Sequence, residues 1–133
     1  MRDSKELELS KYRYSLANET LSVAKSCFES GAYRDCINRS YYASFYAINA
    51  ILALDSVGFK KHKSVIGYFN KEYIAKNILP KALGRKLNEL KNMREVGDYT
   101  DYFIVSKDDA QEQLTTAEYV ISLIGTYLNE KED

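Results

Sequence analysis

One proline, six glycines, two cysteines, one histidine and no tryptophan, in a chain of 133 residues, set out first what this protein cannot be. So little proline and glycine excludes collagen-like and low-complexity disordered chains and argues against a turn-rich all-β fold. The two cysteines, Cys27 and Cys36, have only His62 to help them, so neither a disulfide framework nor a zinc site can be built, and no metal or other cofactor is expected. Both thiols are expected to be reduced and packed. Charge of neither sign is in excess: 19 Lys and Arg stand against 19 Asp and Glu. That balance removes the global positive field that makes a protein adhere to any nucleic acid, and contact with an anionic partner then needs a local patch. Arg2, Asp3, Lys5, Glu6 and Glu8 follow Met1 with no apolar run, so no signal peptide or import presequence is visible. The longest apolar stretch, residues 41–54, holds Ser44 and Asn49 and is too short to span a bilayer. A soluble cytoplasmic protein without membrane contact is the expectation.

What is present suffices for one core. Hydrophobic residues make up 45% of the chain, and at about 100 to 200 residues per domain the whole span 1–133 reads as a single domain. Twelve tyrosines dominate the aromatic inventory, each coupling an apolar ring to a hydroxyl that needs a partner when buried.

The periodicity is helical throughout. Leu9, Tyr12, Leu16, Val23 and Cys27, flanked by Ala17, Leu21, Ala24 and Phe28, recur every three or four residues and wrap a broad apolar face around a first helix that Gly31 should stop. Residues 32–54 form a second helix with Ile37, Tyr41, Phe45, Ile48 and Leu52 in one stripe and Ala43, Ala47 and Ala50 as a small-residue flank. A shorter helix over 62–73 and an irregular connection at 76–79 lead to Pro80, which suits the first turn of a fourth helix carrying Leu83, Leu87 and Leu90. That helix should run to about Val96 and stop at Gly97, leaving residues 98–103 as an ordered loop. Ser106 and Asp109 have capping-box spacing and open a last helix through Leu114, Ile121 and Leu128. The fold class is all-α: a roughly antiparallel bundle of four long helices and one short one.

Three clusters could carry chemistry. Asp35, Arg39, Tyr42, Tyr46 and Asn49 share a second face of the second helix, a polar aromatic seam in which Asp35 could pin the Arg39 guanidinium one turn on. It reads either as a polar network between helices or across a dimer interface, or as a ligand-contacting surface. Arg94 continues the Leu83, Leu87, Leu90 row, so a permanent charge sits on an apolar face and needs a partner. Asp98 and Asp101 could clamp it, with Tyr99 and Tyr102 around them; alternatively its planar fork faces phosphate. His62 lies among Lys60, Lys61 and Lys63, a solvated helix start or an RNA-facing patch. No glycine-rich phosphate loop, Ser-His-Asp set or metal-ligand spacing is present.

Several of these residues occur in recognisable strings. Tyr33-Arg34-Asp35-Cys36-Ile37-Asn38-Arg39-Ser40-Tyr41-Tyr42-Ala43-Ser44-Phe45-Tyr46-Ala47, then His62-Lys63-Ser64-Val65, Leu79-Pro80-Lys81 with Leu87-Asn88, and Arg94-Glu95-Val96-Gly97-Asp98-Tyr99 together resemble a HEPN domain protein over nearly the whole chain. The resemblance implies a helical bundle, usually a homodimer, often encoded beside a minimal nucleotidyltransferase as a toxin-antitoxin or stress-defence pair. It also implies an RNA or nucleotide ligand, and in many members metal-independent endoribonuclease activity marked by an arginine followed after four to six residues by a histidine. Here that arginine maps to Arg94, and Tyr99, Thr100 and Asp101 occupy the histidine positions. Counting from Arg39 instead reaches Tyr46. A tyrosine with its ordinary pKa near 10 is a poor general base, so the pattern favours a binding module over cleavage. Three readings follow: a nucleotide- or RNA-binding module contacting its ligand through Arg39, Tyr42, Arg94, Tyr99, Tyr102 and His62; a ribonuclease toxin in which Arg94 stabilises the transition state and Asp98 or His62 moves the proton; or a structural interaction bundle.

Overall fold

The computed structural model describes residues 4–55, 62–99 and 104–132, apart from the side chains at 4, 62–64, 98, 99 and 132. The described residues form five α-helices: α1 Ser4–Glu29, α2 Tyr33–Leu54, α3 His62–Phe69, α4 Lys81–Tyr99 and α5 Lys107–Glu132. Four are long and one is short, as the periodicity predicts. None is long and apolar enough to cross a membrane.

Gly31 ends α1 for a definite reason. Its φ is 83°, a conformation that a Cβ penalises, and it lets the Ala32 N–H donate to Cys27 O (2.8 Å) and its own N–H to Phe28 O (3.1 Å). This is a Schellman closure, which satisfies carbonyls otherwise orphaned at the helix end. The chain reverses at once, so α2 lies antiparallel on α1, tied by Ser10 Oγ donating to Ala50 O (2.8 Å) and Arg13 to Asn49 O (3.1 Å).

α2 is the central rod. Ala43, Ala47 and Ala50 have no exposed surface and let neighbouring helices approach its backbone, while Ile48, Ile51 and Leu52 fill the core. α5 runs parallel to it, with Cys36 near Ala110 at one end and Leu54 near Leu128 at the other. α4 runs antiparallel to α2 and contributes Leu83, Leu87 and Leu90 to the same core.

The first helix buries only part of the broad apolar face its spacing predicts, the part that carries Ala17, Leu21 and Ala24. Leu9, Tyr12 and Val23 are 42%, 64% and 48% exposed, and the inward row is Ser10, Ala17, Leu21 and Ala24. The small side chains win because Ala17 and Ala24 allow the close approach to α2 that larger groups forbid, and the Ser10 hydroxyl finds a carbonyl there.

Two further boundaries differ from expectation. The helix predicted over 62–73 is α-helical to Phe69 and continues as a wide π-type turn, Asn70–Ile74, closed by Ala75 N–H donating to Asn70 O (2.8 Å). Asn77 then adopts φ 60°, and the N–H groups of Ile78 and Leu79 both donate to Tyr73 O. α4 runs through Gly97 to Tyr99, because a glycine stops a helix only where it takes the left-handed conformation, and Gly97 does not. Residues 98 and 99, expected in a loop, are therefore helical.

The capping box at α5 forms in both directions: Asp109 N–H donates to Ser106 Oγ (3.0 Å) and Ser106 N–H to Asp109 Oδ2 (3.2 Å). Ser106→Ala is expected to lower the unfolding free energy by about 1 kcal/mol, read from the urea midpoint.

Farther along α5, Gly125 makes room for α1. Tyr14 donates to Ile121 O (2.9 Å), and a Cβ at position 125 would run into its hydroxyl and stand 2.9 Å from its Cζ. Gly125→Ala is expected to cost about 1–3 kcal/mol through this overlap. Tyr14→Phe in the same chain should recover only part of that loss in thermal melts, because the ring carbon still clashes.

Candidate functional site: an arginine recess between α2 and α4

The row Leu83, Leu87, Leu90 is buried, and one step later it emerges at the bundle edge as Arg94, which is half-buried. The guanidinium carbon of Arg94 lies 5.1 Å from the Tyr41 ring centroid and 5.3 Å from that of Tyr42. The two rings are themselves edge-to-face, 5.3 Å apart at 76°. Each cation–π contact of this kind contributes about 0.5–2 kcal/mol, more as water is excluded. Adjacent residues on a helix diverge in direction, so only a long side chain from a facing helix can meet both rings. Arg94 does so, and in turn its fork is held at a fixed place.

Tyr41 is almost wholly buried, and burial pushes its hydroxyl pKa above the ordinary value, opposed by the nearby Arg94 charge and reinforced by Tyr42 and Glu95. It therefore stays protonated near neutrality and can donate a hydrogen bond but not act as a base.

Arg94 is not the only cation here. Arg34, Asn38 and Ile37 of α2 line a shallow recess with Arg94 and Gly97 of α4 and with Val105. A Cβ at Gly97 would stand 3.9 Å from Arg34 Nη1, so the missing side chain leaves the recess open to that guanidinium. The recess has no internal room even for a water molecule, so a phosphate or carboxylate met by the two planar forks and the amide would rest on its rim. Among the described residues, no group of three His, Cys, Asp or Glu side chains is placed to hold a metal ion.

The sequence-predicted site residues are thus distributed unevenly. Arg94 and Tyr42, assigned to separate clusters, come together. Arg39 and Asp35 stand exposed on the outer flank of α2, no ion pair joins them among the described residues, and Arg39 takes no part in the Arg94 cluster. Tyr46 lies tilted against Tyr42 (ring centroids 6.3 Å apart, 34°), and Asn49 turns back to its own helix, donating to Phe45 O (3.1 Å). His62 is the first residue of α3, and Asp98 and Tyr99 are the last two of α4; their side chains lie outside the described residues, as does all of Tyr102. Arg34 and Asn38 were not singled out by the sequence reading. Their signal was present: with Tyr41 they sit at i, i+4 and i+7, one face of α2 that differs from the Asp35–Arg39 face.

The chain belongs to the HEPN family, whose domain matches residues 10–128. It is similar to a UPF0332 protein of Thermotoga maritima, 30% identical over 108 residues that cover 81% of this chain and 82% of that one. Two proteins of Methanocaldococcus jannaschii, each named "putative toxin", are also similar. One is 36% identical over 85 residues, 64% of this chain and 63% of its own; the other is 30% identical over 115 residues, 86% and 78%.

Proposed function

We propose that this protein is a nucleotide- or RNA-binding module of a toxin-antitoxin or stress-defence pair, acting as a homodimer beside a minimal nucleotidyltransferase. The observation that carries the reading is the Arg94 guanidinium fixed between Tyr41 and Tyr42 at the mouth of a recess that Arg34 and Asn38 also line. Phosphate is the group these residues suit best. Tyr42, only half-buried, offers a ring against which a base can stack, and stacking on an aromatic ring is indifferent to base identity. Arg39, His62, Tyr99 and Tyr102 belong to the reading as further ligand contacts. The toxin names of the two archaeal relatives support membership of such a pair.

Filter retention of labelled ATP and of a short RNA tests the ligand. Wild type should retain one of them and Arg94→Ala should not, with circular dichroism unchanged; equal retention by the two proteins overturns the reading. Sedimentation equilibrium reads the pairing of copies.

The same toxin names are compatible with a second reading, metal-independent RNA cleavage, in which the ribose 2′-hydroxyl attacks phosphorus in line, the P–O5′ bond breaks to leave a 2′,3′-cyclic phosphate and a 5′-hydroxyl that takes up a proton, and Arg94 stabilises the negative charge that builds on the phosphoryl oxygens. It requires a proton acceptor, the role given to Asp98 or His62, since Tyr41 is pushed in the wrong direction to be one. Incubating the protein with structured RNA in EDTA decides between the two. Cleavage that disappears in Arg94→Ala establishes the enzyme, and its absence leaves the binding module.

A further inference from the structure

The opposite side of α4 carries a second concavity with chemistry unlike the first. Glu89, Asn92, Met93 and Val96 of α4 and Glu112 and Gln113 of α5 line an open groove of about 470 Å³ between the two helices. Its floor is Gln113, 3% exposed, whose Oε1 is buried without a hydrogen-bond partner. A buried acceptor left unpaired costs about 1–3 kcal/mol, and because this oxygen is shielded from solvent, a donor from outside meets it once the Gln113 side chain rotates toward the groove. Met93 is half-buried and Val96 is 39% exposed, which gives the groove an apolar wall. Glu89 and Glu112 are both exposed, one on each bank.

These observations exclude two kinds of occupant. Nucleic acid would place phosphates against two carboxylates. A second copy docking symmetrically through the same groove would set its own Glu89 and Glu112 against these, four like charges around one apolar strip. What fits is a segment that supplies a cation for each bank, an aliphatic side chain for Met93 and Val96, and an N–H for Gln113.

The geometry points to the α4–α5 groove as a docking site for a basic amphipathic helix of a different protein, its arginines or lysines paired with Glu89 and Glu112 and its apolar face on Met93 and Val96. A helix laid into a groove between two others completes the bundle surface as a helix-in-groove complex does. The inference rests on the groove alone and does not require the arginine recess to bind a nucleotide.

The probe is a fluorescein-labelled helical peptide of about 15 residues built from Ala, Leu and Arg, with Leu and Arg repeating at helical spacing. A peptide of the same pattern with Glu in place of Arg is the control. Fluorescence anisotropy should show saturable binding of the arginine peptide and none of the glutamate one. Glu89→Gln with Glu112→Gln should weaken it by about tenfold or more, whereas Glu8→Gln with Glu19→Gln, the same change of charge on exposed positions of α1, should not. Gln113→Leu separates docking from folding: removing the orphan oxygen should raise the thermal midpoint of the free protein while weakening the peptide. Amide shifts should cluster at residues 89–96 and 112–116. Absence of binding, equal affinity in the Glu89/Glu112 double variant, or shifts confined to other faces would each overturn the inference.

Discussion

Phe69→Ala is expected to lower the unfolding free energy by about 3–5 kcal/mol, a large share of the roughly 5–15 kcal/mol that holds a domain of this size together. Phe69 has no exposed surface and stacks on Tyr73 at 5.1 Å and 18°, while Tyr73 meets Tyr127 of α5 edge-on at 6.5 Å. The Tyr73 hydroxyl also donates to the Asp55 carboxylate at the end of α2. The ring of Phe69 thus supports a chain of contacts that joins α3, the wide turn, α5 and Asp55, the residue that follows α2. Alanine would leave a cavity flanked by rings too rigid to collapse into it. Urea unfolding measures the effect: the midpoint should fall sharply with the slope unchanged, and Phe69→Leu should lose much less. A loss under about 1 kcal/mol for the alanine variant would show that the aromatic stack does not hold these elements.

The largest functional effect is expected at Arg94. Its replacement by alanine removes one of the guanidinium groups lining the recess and the cation between Tyr41 and Tyr42. Retention of nucleotide or RNA should weaken by at least about tenfold, the effect of roughly 1.4 kcal/mol, and hydrogen bonds to a charged group commonly contribute that much or more. The fold should persist, since the lost cation–π contacts contribute only about 0.5–2 kcal/mol each at a half-buried position. Arg94→Lys distinguishes charge from shape. An ammonium keeps the charge but cannot present two parallel N–H groups or lie flat on a ring, so intermediate binding with a steeper salt dependence is the expected result. Full binding by the alanine variant would remove Arg94 from the site and leave its contacts with the tyrosines as packing alone.

The bundle was legible because its signals are local. The Gly31 stop, the Ser106/Asp109 box, the Pro80 start and the leucine row of α4 are each set by a few neighbouring residues, and each is found where spacing places it. The Pro80 carbonyl accepts the Leu83 N–H at 3.0 Å, as a residue at the start of a helix should. Of the two boundaries that differ, the one at Gly97 does so for a reason local sequence does not contain. Whether a glycine turns left-handed depends on what the chain meets next, and here it stays helical beside Arg34. The apolar face of α1 is broader in the sequence than in the fold on similar grounds. Its apolar residues cover more of the helix than one neighbour can bury, and only the fit of Ala17 and Ala24 against α2 selects among them.

The candidate site was half legible. Arg94 stood out as a charge on an apolar row, and Tyr42 as part of an aromatic seam. Their meeting was not predictable, because it depends on the height at which α4 crosses α2. That crossing is fixed by ridge-and-groove packing of Leu83, Leu87 and Leu90, far from the arginine itself. The same crossing brought Arg34 and Asn38 into the recess and left Arg39, one turn away on the outer flank, outside it.

Sequence alone therefore determined that this chain is helical, where most of its helices begin, and which arginine is out of place on an apolar face, since these follow from interactions within a turn or two of backbone. Tertiary structure alone decided which tyrosines hold that arginine, that a second arginine shares its recess, and that α4 and α5 part enough to leave an acidic groove over Gln113. These are matters of how rods cross, and the crossing is settled by the volume and shape of side chains distant in sequence from the groups it brings together.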